Sequence, residues 1–344
     1  MATTSATSGT FTCAELVNVQ IAMDRVWASQ TLDSNDYISE VESVKVIKAR
    51  QTARLAELED PAKDKTVKIH WVTDCNTSLA ACSDDCSSDG PELEARCKEY
   101  ELDLCQHAPF KVKEKAFRAL AVTREEAVAK GLLKRMKELD EYLAQTLIAK
   151  LNTFAGANQY IAGIGDVENS GVTYIAPSYW TADLTGYFAL VAKMNKLGSV
   201  TVLHGTNLWN SNWNAMFNSL NANQKDQMAK MSSVQQFWDP FNVDTVNSTE
   251  KVSYMISNGA VAIVTKAYYG MTPTTYMNDI RWSVESKNLP GVFYDVVYSN
   301  TCISNEIYHK YDVYIKAGIF NNPYGCNEDV TGVLKFICGV NAGS

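Results

Sequence analysis

The chain of 344 residues has 31 basic and 39 acidic side chains, a formal net charge of −8, and 46% hydrophobic residues. This length can bury a substantial core divided between two or three sub-domains. The negative charge argues against a surface built to grip nucleic-acid phosphates, and no run of 18 apolar residues is present to cross a membrane.

The first residues predict a flexible arm followed by helices. Positions 1–12 are rich in Ser, Thr and Ala and contain no basic residue ahead of an apolar run, so we expect an arm and no secretory signal. Helical periodicity then runs from Glu15 to Trp27, and a second helix is predicted from Val44 to Leu58.

Two alternating segments predict a long two-stranded ribbon. Thr66–Val72 and Tyr100–Leu104 alternate as half-exposed strands do, and the turn-forming residues 84–91 between them predict a polar tip. A two-stranded ribbon alone is only marginally stable in water. The ribbon therefore needs a neighbour to lie on, and no other part of the chain is an obvious candidate.

Five of the nine cysteines fall within the ribbon stretch: Cys75, Cys82, Cys86, Cys97 and Cys105. Cys82 and Cys86 have a spacing that suits structural zinc, and Cys105 with His107 is the nearest second pair, although two compact pairs are usual. Disulfides among the five cysteines, formed late in oxidising surroundings, are an alternative. Free thiols on a ribbon covered by neighbours are the third reading.

The stretch from Glu114 to Phe154 predicts one long helix. Thr123 and Glu126 form a capping-box pattern, so the regular helix should begin at Arg124 and run for roughly 48 Å. One apolar stripe recurs at spacings of three and four: Leu132, Met136, Leu139, Leu143, Leu147 and Leu151. The remaining positions are dense in charge: Arg124, Glu125, Glu126, Lys130, Lys134, Arg135, Lys137, Glu138, Asp140 and Glu141. The pattern predicts a stiff strut with charged outer faces.

The part after the long helix alternates strands and helices, which predicts an α+β fold. The predicted helices are Leu184–Leu197, ended by Gly198, then Leu208–Leu220 and Asn223–Met231. The predicted strands are Thr173–Ala176, Val200–Gly205, Gly259–Thr265, Val292–Tyr298, Tyr311–Ile315 and Val333–Ile337.

Patterns of catalytic chemistry are sparse. The nucleophile-elbow, phosphate-loop and zinc-protease motifs are missing, and Gly163-Ile164-Gly165-Asp166 lacks the third glycine of a dinucleotide loop. His309 lies near Cys302, Asp295 and Asp312 in sequence, so a Cys/His/Asp arrangement is conceivable. We predict no catalytic site, no cofactor and no enzymatic activity.

The order of elements is an arm, an extended two-stranded loop, a long charged helix, a mixed α/β region and a final strand. The closing third contains Asn288–Tyr298, Asn321–Cys326 and Thr331–Phe336, which fit the same layout. This order resembles the major capsid protein of tailed bacteriophages and the related encapsulin shells. The resemblance implies an N-terminal arm with a helical segment (1–64), an extended loop (65–112), a peripheral domain with the spine helix (113–183), an axial domain (184–310) and return strands to the peripheral domain (311–344).

The resemblance implies a structural subunit that assembles with copies of itself, as hexamers and pentamers, into an icosahedral capsid shell around double-stranded DNA. Portal and scaffolding or decoration proteins would be further partners, DNA would be enclosed with little specific binding, and no membrane would be involved. The subunit would assemble in the bacterial host cytoplasm and reside in the virion capsid. An encapsulin-like shell around cargo protein is the alternative, and a Cys/His-type enzyme is a distant one. The resemblance gives no place to a cysteine-rich loop, which suggests an individual stabilising device.

Overall fold

The computed structural model describes residues 11–29, 36–51, 66–73, 94–115, 123–161, 163, 166–181, 184–210, 234–242, 251–304, 306–321 and 332–339. Its helices are α1 (Cys13–Ser29), α2 (Glu42–Ala49), α3 (Arg124–Phe154) and α4 (Leu184–Met194). Its strands are β1 (Thr66–Thr73), β2 (Glu94–Glu101), β3 (Leu104–Lys113), β4 (Asp166–Asn169), β5 (Val172–Ile175), β6 (Val200–His204), β7 (Val234–Trp238), β8 (Lys251–Ser257), β9 (Val261–Thr265), β10 (Thr274–Tyr276), β11 (Asp279–Glu285), β12 (Phe293–Ile303), β13 (Glu306–Asn321) and β14 (Val333–Cys338).

The strands form two six-stranded sheets and one two-stranded ribbon. The main sheet has the order β10-β11-β12-β13-β3, and β9 pairs with the end of β13. The second sheet has the order β4-β5-β14-β8-β6-β7, and the ribbon consists of β1 and β2. Helices and mainly antiparallel sheets are combined in one chain, so the predicted α+β class is confirmed.

The long helix is confirmed in its bounds and in its buried side. The Thr123 hydroxyl accepts a hydrogen bond from the Glu126 N–H at 3.2 Å, which satisfies one of the free donors at the helix start. The six stripe residues are all buried, and α3 packs against α1, α2, β3 and β13. At 31 residues the helix is about 46 Å long.

A glycine inside α3 makes room for the main sheet. A Cβ atom at Gly131 would lie 2.6 Å from Cε2 of Phe110, a residue of β3. The Phe110 ring is stacked on Tyr311 with ring centroids 4.9 Å apart, so it is held from the other side. Gly131 therefore allows the helix to approach the sheet closely, at the expense of helix propensity.

The N-terminal helix is confirmed, and the last two positions of the expected arm belong to the folded part. The predicted segment Glu15–Trp27 lies within α1, which buries Leu16, Val19 and Met23 against the core. Phe11, ahead of the helix, is also buried. Residues 11–29 are thus part of the folded body, and the rest of the expected flexible arm, positions 1–10, lies outside the described residues.

Two predicted helix ends are wrong. The second helix ends at Ala49, after which Arg50 N–H donates to the Ile47 carbonyl and the Gln51 side chain donates to the Ile263 carbonyl. Residues 52–58 lie outside the described part. The helix predicted to reach Leu197 ends at Met194.

The end of α4 is a Schellman motif formed around a lysine. Leu197 N–H donates to the Ala192 carbonyl at 2.9 Å and Lys196 N–H to the Lys193 carbonyl at 3.1 Å. Lys196 takes the left-handed conformation, with φ 56°, that glycine usually takes at this position. Gly198 lies two residues later, so the glycine signal marked the end too far along the chain.

The predicted strands after α3 are present, with shifted bounds, as β5, β6, β9, β12, β13 and β14. Strands β4, β7, β8, β10 and β11 were not predicted. β8 is buried on both faces and so lacks the alternation that identifies a half-exposed strand. The helices predicted from Leu208 to Leu220 and from Asn223 to Met231 lie almost entirely outside the described residues.

Sheet pairing cuts across the predicted domain ranges. β11 and β12, within 184–310, pair with each other and, through β13, with β3 of the main sheet. β14, within 311–344, pairs with β5 and β8 of the second sheet. The ranges 184–310 and 311–344 each contribute to both sheets, because strands distant in sequence meet in one sheet.

The core has two parts. The larger cluster joins α1, α2 and α3 to the main sheet and to one side of the second sheet. The smaller cluster lies between α4 and the second sheet, with Phe188, Val191 and Phe336 at its centre. Among the described residues, no helix is long and apolar enough to cross a membrane.

Candidate assembly elements

The ribbon is a regular antiparallel ladder. β1 and β2 are paired over eight positions, from Thr66 opposite Glu101 to Thr73 opposite Glu94. Eight residues of strand span about 26 Å. Within the described residues, neither strand pairs with any other strand, so both outer edges of the ribbon lack a ladder partner.

The ribbon is fastened at its base. The Tyr100 ring packs on Phe320 with centroids 4.6 Å apart, and its hydroxyl donates to the Asn321 carbonyl at 2.9 Å. Burial raises the pKa of Tyr100 to about 12, so the hydroxyl remains a donor. Lys150 near the end of α3 forms an ion pair with Asp103 at 2.7 Å. These contacts connect the base to β13 and α3.

The second ribbon strand is misplaced in the sequence prediction. Tyr100–Leu104 straddles the end of β2 and the beginning of β3, which leaves the ribbon and pairs with β13. Alternation continues through Leu102 and Leu104 although the chain changes partner between them. The predicted polar tip, residues 84–91, lies outside the described residues.

A polar cluster clamps the N-terminal end of the described chain to the start of α3. The Arg124 guanidinium lies 3.6 Å from the Phe11 ring centroid, and Phe11 N–H donates to the Tyr298 hydroxyl at 3.0 Å. His309 bonds Tyr298 through Nδ1 at 2.9 Å and Glu114 through Nε2. Burial lowers the pKa of His309, and the hydrogen bond to Glu114 opposes that effect. This cluster holds α1 against α3 and β13.

The conceivable Cys/His/Asp arrangement is not assembled. His309 is opposite Asn300 in the β12–β13 ladder and faces the core. Asp295 is five residues from Asn300 and Asp312 three residues from His309, so both side chains point to the other face of the sheet. Asp295 instead accepts hydrogen bonds from Ser283 and the Tyr268 N–H. Cys302 is exposed, and both ring nitrogens of His309 already have other partners.

Asp140 is the main polar residue that the sequence placed wrongly. It was predicted on a charged outer face of α3 but is fully buried against the β11–β12 connection. Its carboxylate accepts hydrogen bonds from Ser286 at 3.1 Å, Asn288 at 3.0 Å and the Tyr294 hydroxyl. Burial raises the pKa of Asp140 to about 7, against the lowering effect of these donors.

Asn288 extends this network to the N-terminal part of the chain. Its side-chain amide donates to the Tyr37 carbonyl at 3.0 Å and accepts from the Ser39 N–H at 3.0 Å. Helix α3, the β11–β12 connection and the segment before α2 therefore meet at one buried carboxylate. No local signal marks Asp140, because its partners lie about 150 residues away in the chain.

The predicted metal and disulfide residues are only partly described. Cys105 and His107 are exposed on β3, and Cys97 lies in β2 opposite His70 in the ladder. Cys75, Cys82 and Cys86 lie outside the described residues, as does Cys326. Among the described residues no three metal-ligating side chains come together, and Cys13, Cys105 and Cys302 form no disulfide.

Neither a protein-family model nor a curated protein sequence matches the chain. Solved structures do match it. A chain of the cyanophage A-1(L) capsid asymmetric unit has a TM-score of 0.52 at 9% identity, over 90% of this chain and 95% of that chain. The capsid of cyanophage P-SCSP1u has a TM-score of 0.46 at 9% identity, over 80% of this chain and 84% of that chain. The cyanophage Pam1 capsid asymmetric unit has a TM-score of 0.45 at 11% identity, over 84% of this chain and 88% of that chain.

The likeness to the A-1(L) capsid chain covers nearly the whole of both chains and shows that this chain has a phage-capsid fold. The fold predicted from the order of arm, ribbon, long helix and mixed α/β region is therefore confirmed.

Proposed function

We propose that this chain is the structural subunit of an icosahedral bacteriophage capsid shell, formed by copies of itself as hexamers and pentamers around double-stranded DNA. The observation that carries the proposal is the fold shared with the A-1(L) capsid chain over 90% of this chain. The role is structural, with no enzymatic activity and no cofactor.

The geometry supports such a role. A shell of identical subunits closes through heterologous contacts, which require projections that reach neighbouring copies. The ribbon is such a projection, because its ladder extends about 26 Å and its anchors lie at the base. Helix α3, buried along one side over its full length, gives the stiffness that a curved shell needs.

The charge suits an enclosed genome. A chain with net charge −8 does not neutralise many phosphates, so we infer that DNA is enclosed with little specific binding. Portal and scaffolding or decoration proteins are the further partners we propose, with assembly in the bacterial host cytoplasm and a final place in the virion capsid.

We assign the main sheet and α3 to a peripheral domain and the second sheet and α4 to an axial domain, which revises the boundaries expected from sequence. The ribbon cysteines Cys75, Cys82, Cys86, Cys97 and Cys105 remain candidates for disulfides formed after assembly. Zinc held by Cys82, Cys86, Cys105 and His107 is the alternative. Electrophoresis of assembled particles with and without reductant, together with zinc analysis, separates the two.

Microscopy of the purified protein tests the proposal. We expect negative-stain images to show regular particles or capsomers, with light scattering giving a mass many times that of a 38.1 kDa monomer. A stable monomer at high protein concentration in both measurements would contradict the shell function.

An encapsulin-like shell would give the same images but different contents. Particles from the native host that contain nuclease-protected double-stranded DNA support the capsid, and particles loaded with one cargo protein and no DNA support the alternative. The Cys/His-type enzyme has less support, because His309 is buried away from Asp295 and Asp312.

A further inference from the structure

The main sheet has one face toward the core, and at β3 and the paired part of β13 its other face is exposed or half-exposed. Side chains that are opposite each other in a ladder share a face, and alternate residues of one strand share it as well. On β13, His309, Tyr311, Val313 and Ile315 are buried, while the residues between them are half-exposed. The outward residues are Cys105, His107, Pro109, Lys111 and Lys113 on β3, and Glu306, Tyr308, Lys310, Asp312, Tyr314 and Lys316 on β13. Four lysines therefore share this part of the sheet with two carboxylates.

The lysine patch, which we define as Lys111, Lys113 and Lys310 with Tyr308, contains an unfavourable pair. Lys111 stands directly opposite Lys310 in the ladder, and like charges at such positions destabilise a sheet. Lys111 Nζ lies 5.3 Å and Lys113 Nζ 5.4 Å from the Tyr308 ring centroid. The aromatic ring thus gathers two ammonium groups beside the third lysine.

Among the described residues, too few carboxylates lie beside the patch to balance its positive charge. Glu306 is engaged by Lys113 at 2.8 Å and by Lys115 at 3.5 Å. Within the part of the chain that the structure describes, neither Lys111 nor Lys310 forms an ion pair, with Asp312 or any other carboxylate. A repulsive, half-exposed cationic site on a protein of net charge −8 points to an acidic partner.

We propose that the lysine patch binds the acidic ribbon tip of a second copy of this chain. This inference rests on the proposed shell function. Residues 84–94 contain five carboxylates and no basic residue: Asp84, Asp85, Asp89, Glu92 and Glu94. The tip therefore supplies the negative charge that the patch lacks, and the tyrosine-lined lysines offer it several ammonium donors.

The geometry of the base favours a second copy over the tip of the same chain. The described ladder ends at Glu94, six residues and about 20 Å of strand away from Tyr100 at the base. Lys111 lies eight residues beyond Asp103 along the chain, which is about 26 Å of strand. The tip would reach its own patch only if the ribbon folded flat over a base that Tyr100–Asn321 and Lys150–Asp103 contacts hold.

Binding of a labelled peptide tests the surface without requiring assembly. The peptide comprises residues 83–94 with Cys86 replaced by Ser, and its fluorescence anisotropy is measured with the full chain. We expect binding that weakens as salt is raised, since exposed charges are screened. K111E/K310E should weaken it at least tenfold, while K45E/K193E, with the same change in net charge at distant positions, should leave it unchanged.

The double variant keeps a like-charge pair and loses only the exposed Lys111–Tyr308 contact, so its thermal midpoint should lie close to that of the wild type. The single variant K310E replaces repulsion by attraction to Lys111. We expect K310E to raise the thermal midpoint of the monomer and at the same time to weaken peptide binding. If Lys310 had only a structural role, its replacement would not weaken peptide binding in a more stable chain. A lower midpoint with unchanged peptide binding would overturn the assignment.

Charge exchange tests the contact between copies. K111E/K310E and D84K/D85K/D89K should each lose particles in negative stain, and the chain that combines both sets should recover them. Recovery of particles in a mixture of the two single-set chains supports contact between copies, and failure of both the mixture and the combined chain to form particles overturns it.

The outcomes separate this inference from the proposed function. A wild-type chain that binds the peptide through the patch but forms no particles would contradict the shell and leave the docking surface standing. Particles with no detectable peptide binding up to millimolar concentration, or a patch that binds single-stranded DNA in place of the peptide, would overturn the docking surface alone.

Discussion

The long helix α3 and the ribbon β1–β2 are both elongated, but different contacts hold them. α3 buries a stripe of six apolar residues and packs against α1, α2, β3, β13 and β14 of the same chain. The ribbon pairs only with itself among the described residues and is fastened at its base by Tyr100 and Asp103. The position of the helix is therefore determined within one subunit. We expect the position of the ribbon beyond its base to depend on the neighbouring copies that the subunit meets.

The largest expected loss of stability follows from truncating the buried stripe. Leu143→Ala removes a fully packed side chain, so the free energy of unfolding should fall by about 3 kcal/mol, within the usual range for leucine in a core. Chemical denaturation measures it. Lys134→Ala on the exposed side of α3 is the matched control, with an expected change below about 0.5 kcal/mol. Equal losses in both variants would mean that α3 is not anchored by its stripe.

The second prediction concerns Asp140, whose carboxyl has a pKa of about 7 in the folded chain and about 3.8 as its ordinary value. Between these values the folded state holds a proton that the unfolded state has released. Unfolding then releases the proton, so the contribution of Asp140 to stability falls as pH rises from about 4 to about 7.

Asp140→Asn removes this titratable group. It also leaves a single amide oxygen to accept hydrogen bonds from Ser286, Asn288 and Tyr294. We expect a loss of about 2 kcal/mol near pH 5 that shrinks toward pH 8, measured as the difference from the wild type in urea unfolding. Taking the difference removes the opposing effect of His204, whose pKa burial lowers to about 4. A difference independent of pH would contradict the assigned proton.

These two residues show how far the sequence predicted the fold. The stripe with Leu143 and the capping pair Thr123 and Glu126 are local signals, and they were sufficient to find α3 and its buried side. Asp140 looked like another charge on the same helix. Its burial depends on Ser286 and Tyr294, which a pattern within α3 does not include.

The candidate assembly elements were predictable to a smaller extent. The ribbon was found from its alternation, but Leu102 and Leu104 continue that alternation where the chain passes from β2 to β3. The lysine patch depends on the register that places Lys111 opposite Lys310, about 200 residues apart in the chain. Sequence periodicity contains no information on such pairings between distant strands. The sequence did indicate that the ribbon needs a neighbour to lie on.

The third prediction examines the ribbon base. Tyr100→Phe removes the 2.9 Å hydrogen bond to Asn321 but keeps the ring on Phe320. The free energy of unfolding should fall by about 1 kcal/mol or less, while hydrogen exchange of β1 and β2 amides becomes faster. Tyr276→Phe, at an exposed position of β10, is the control and should change neither quantity. Unaltered exchange in β1 and β2 would show that the base is held by other contacts.

The smallest expected effect on stability comes from shortening the ribbon tip. Replacing residues 76–92 with a short Gly-Ser link leaves β1 and β2 paired, and a shorter loop is slightly easier to close. We expect the free energy of unfolding to stay within about 0.5 kcal/mol of the wild type.

The same variant should assemble poorly, because the ribbon then lacks the part that reaches a neighbouring copy. Particle yield in negative stain and light scattering measures this. Leu143→Ala, by contrast, should lose stability and still assemble at low temperature, where enough of the chain remains folded. If the shortened ribbon assembled as well as the wild type, contacts other than the tip would have to join the subunits, and the division between a self-sufficient helix and a neighbour-dependent ribbon would fail.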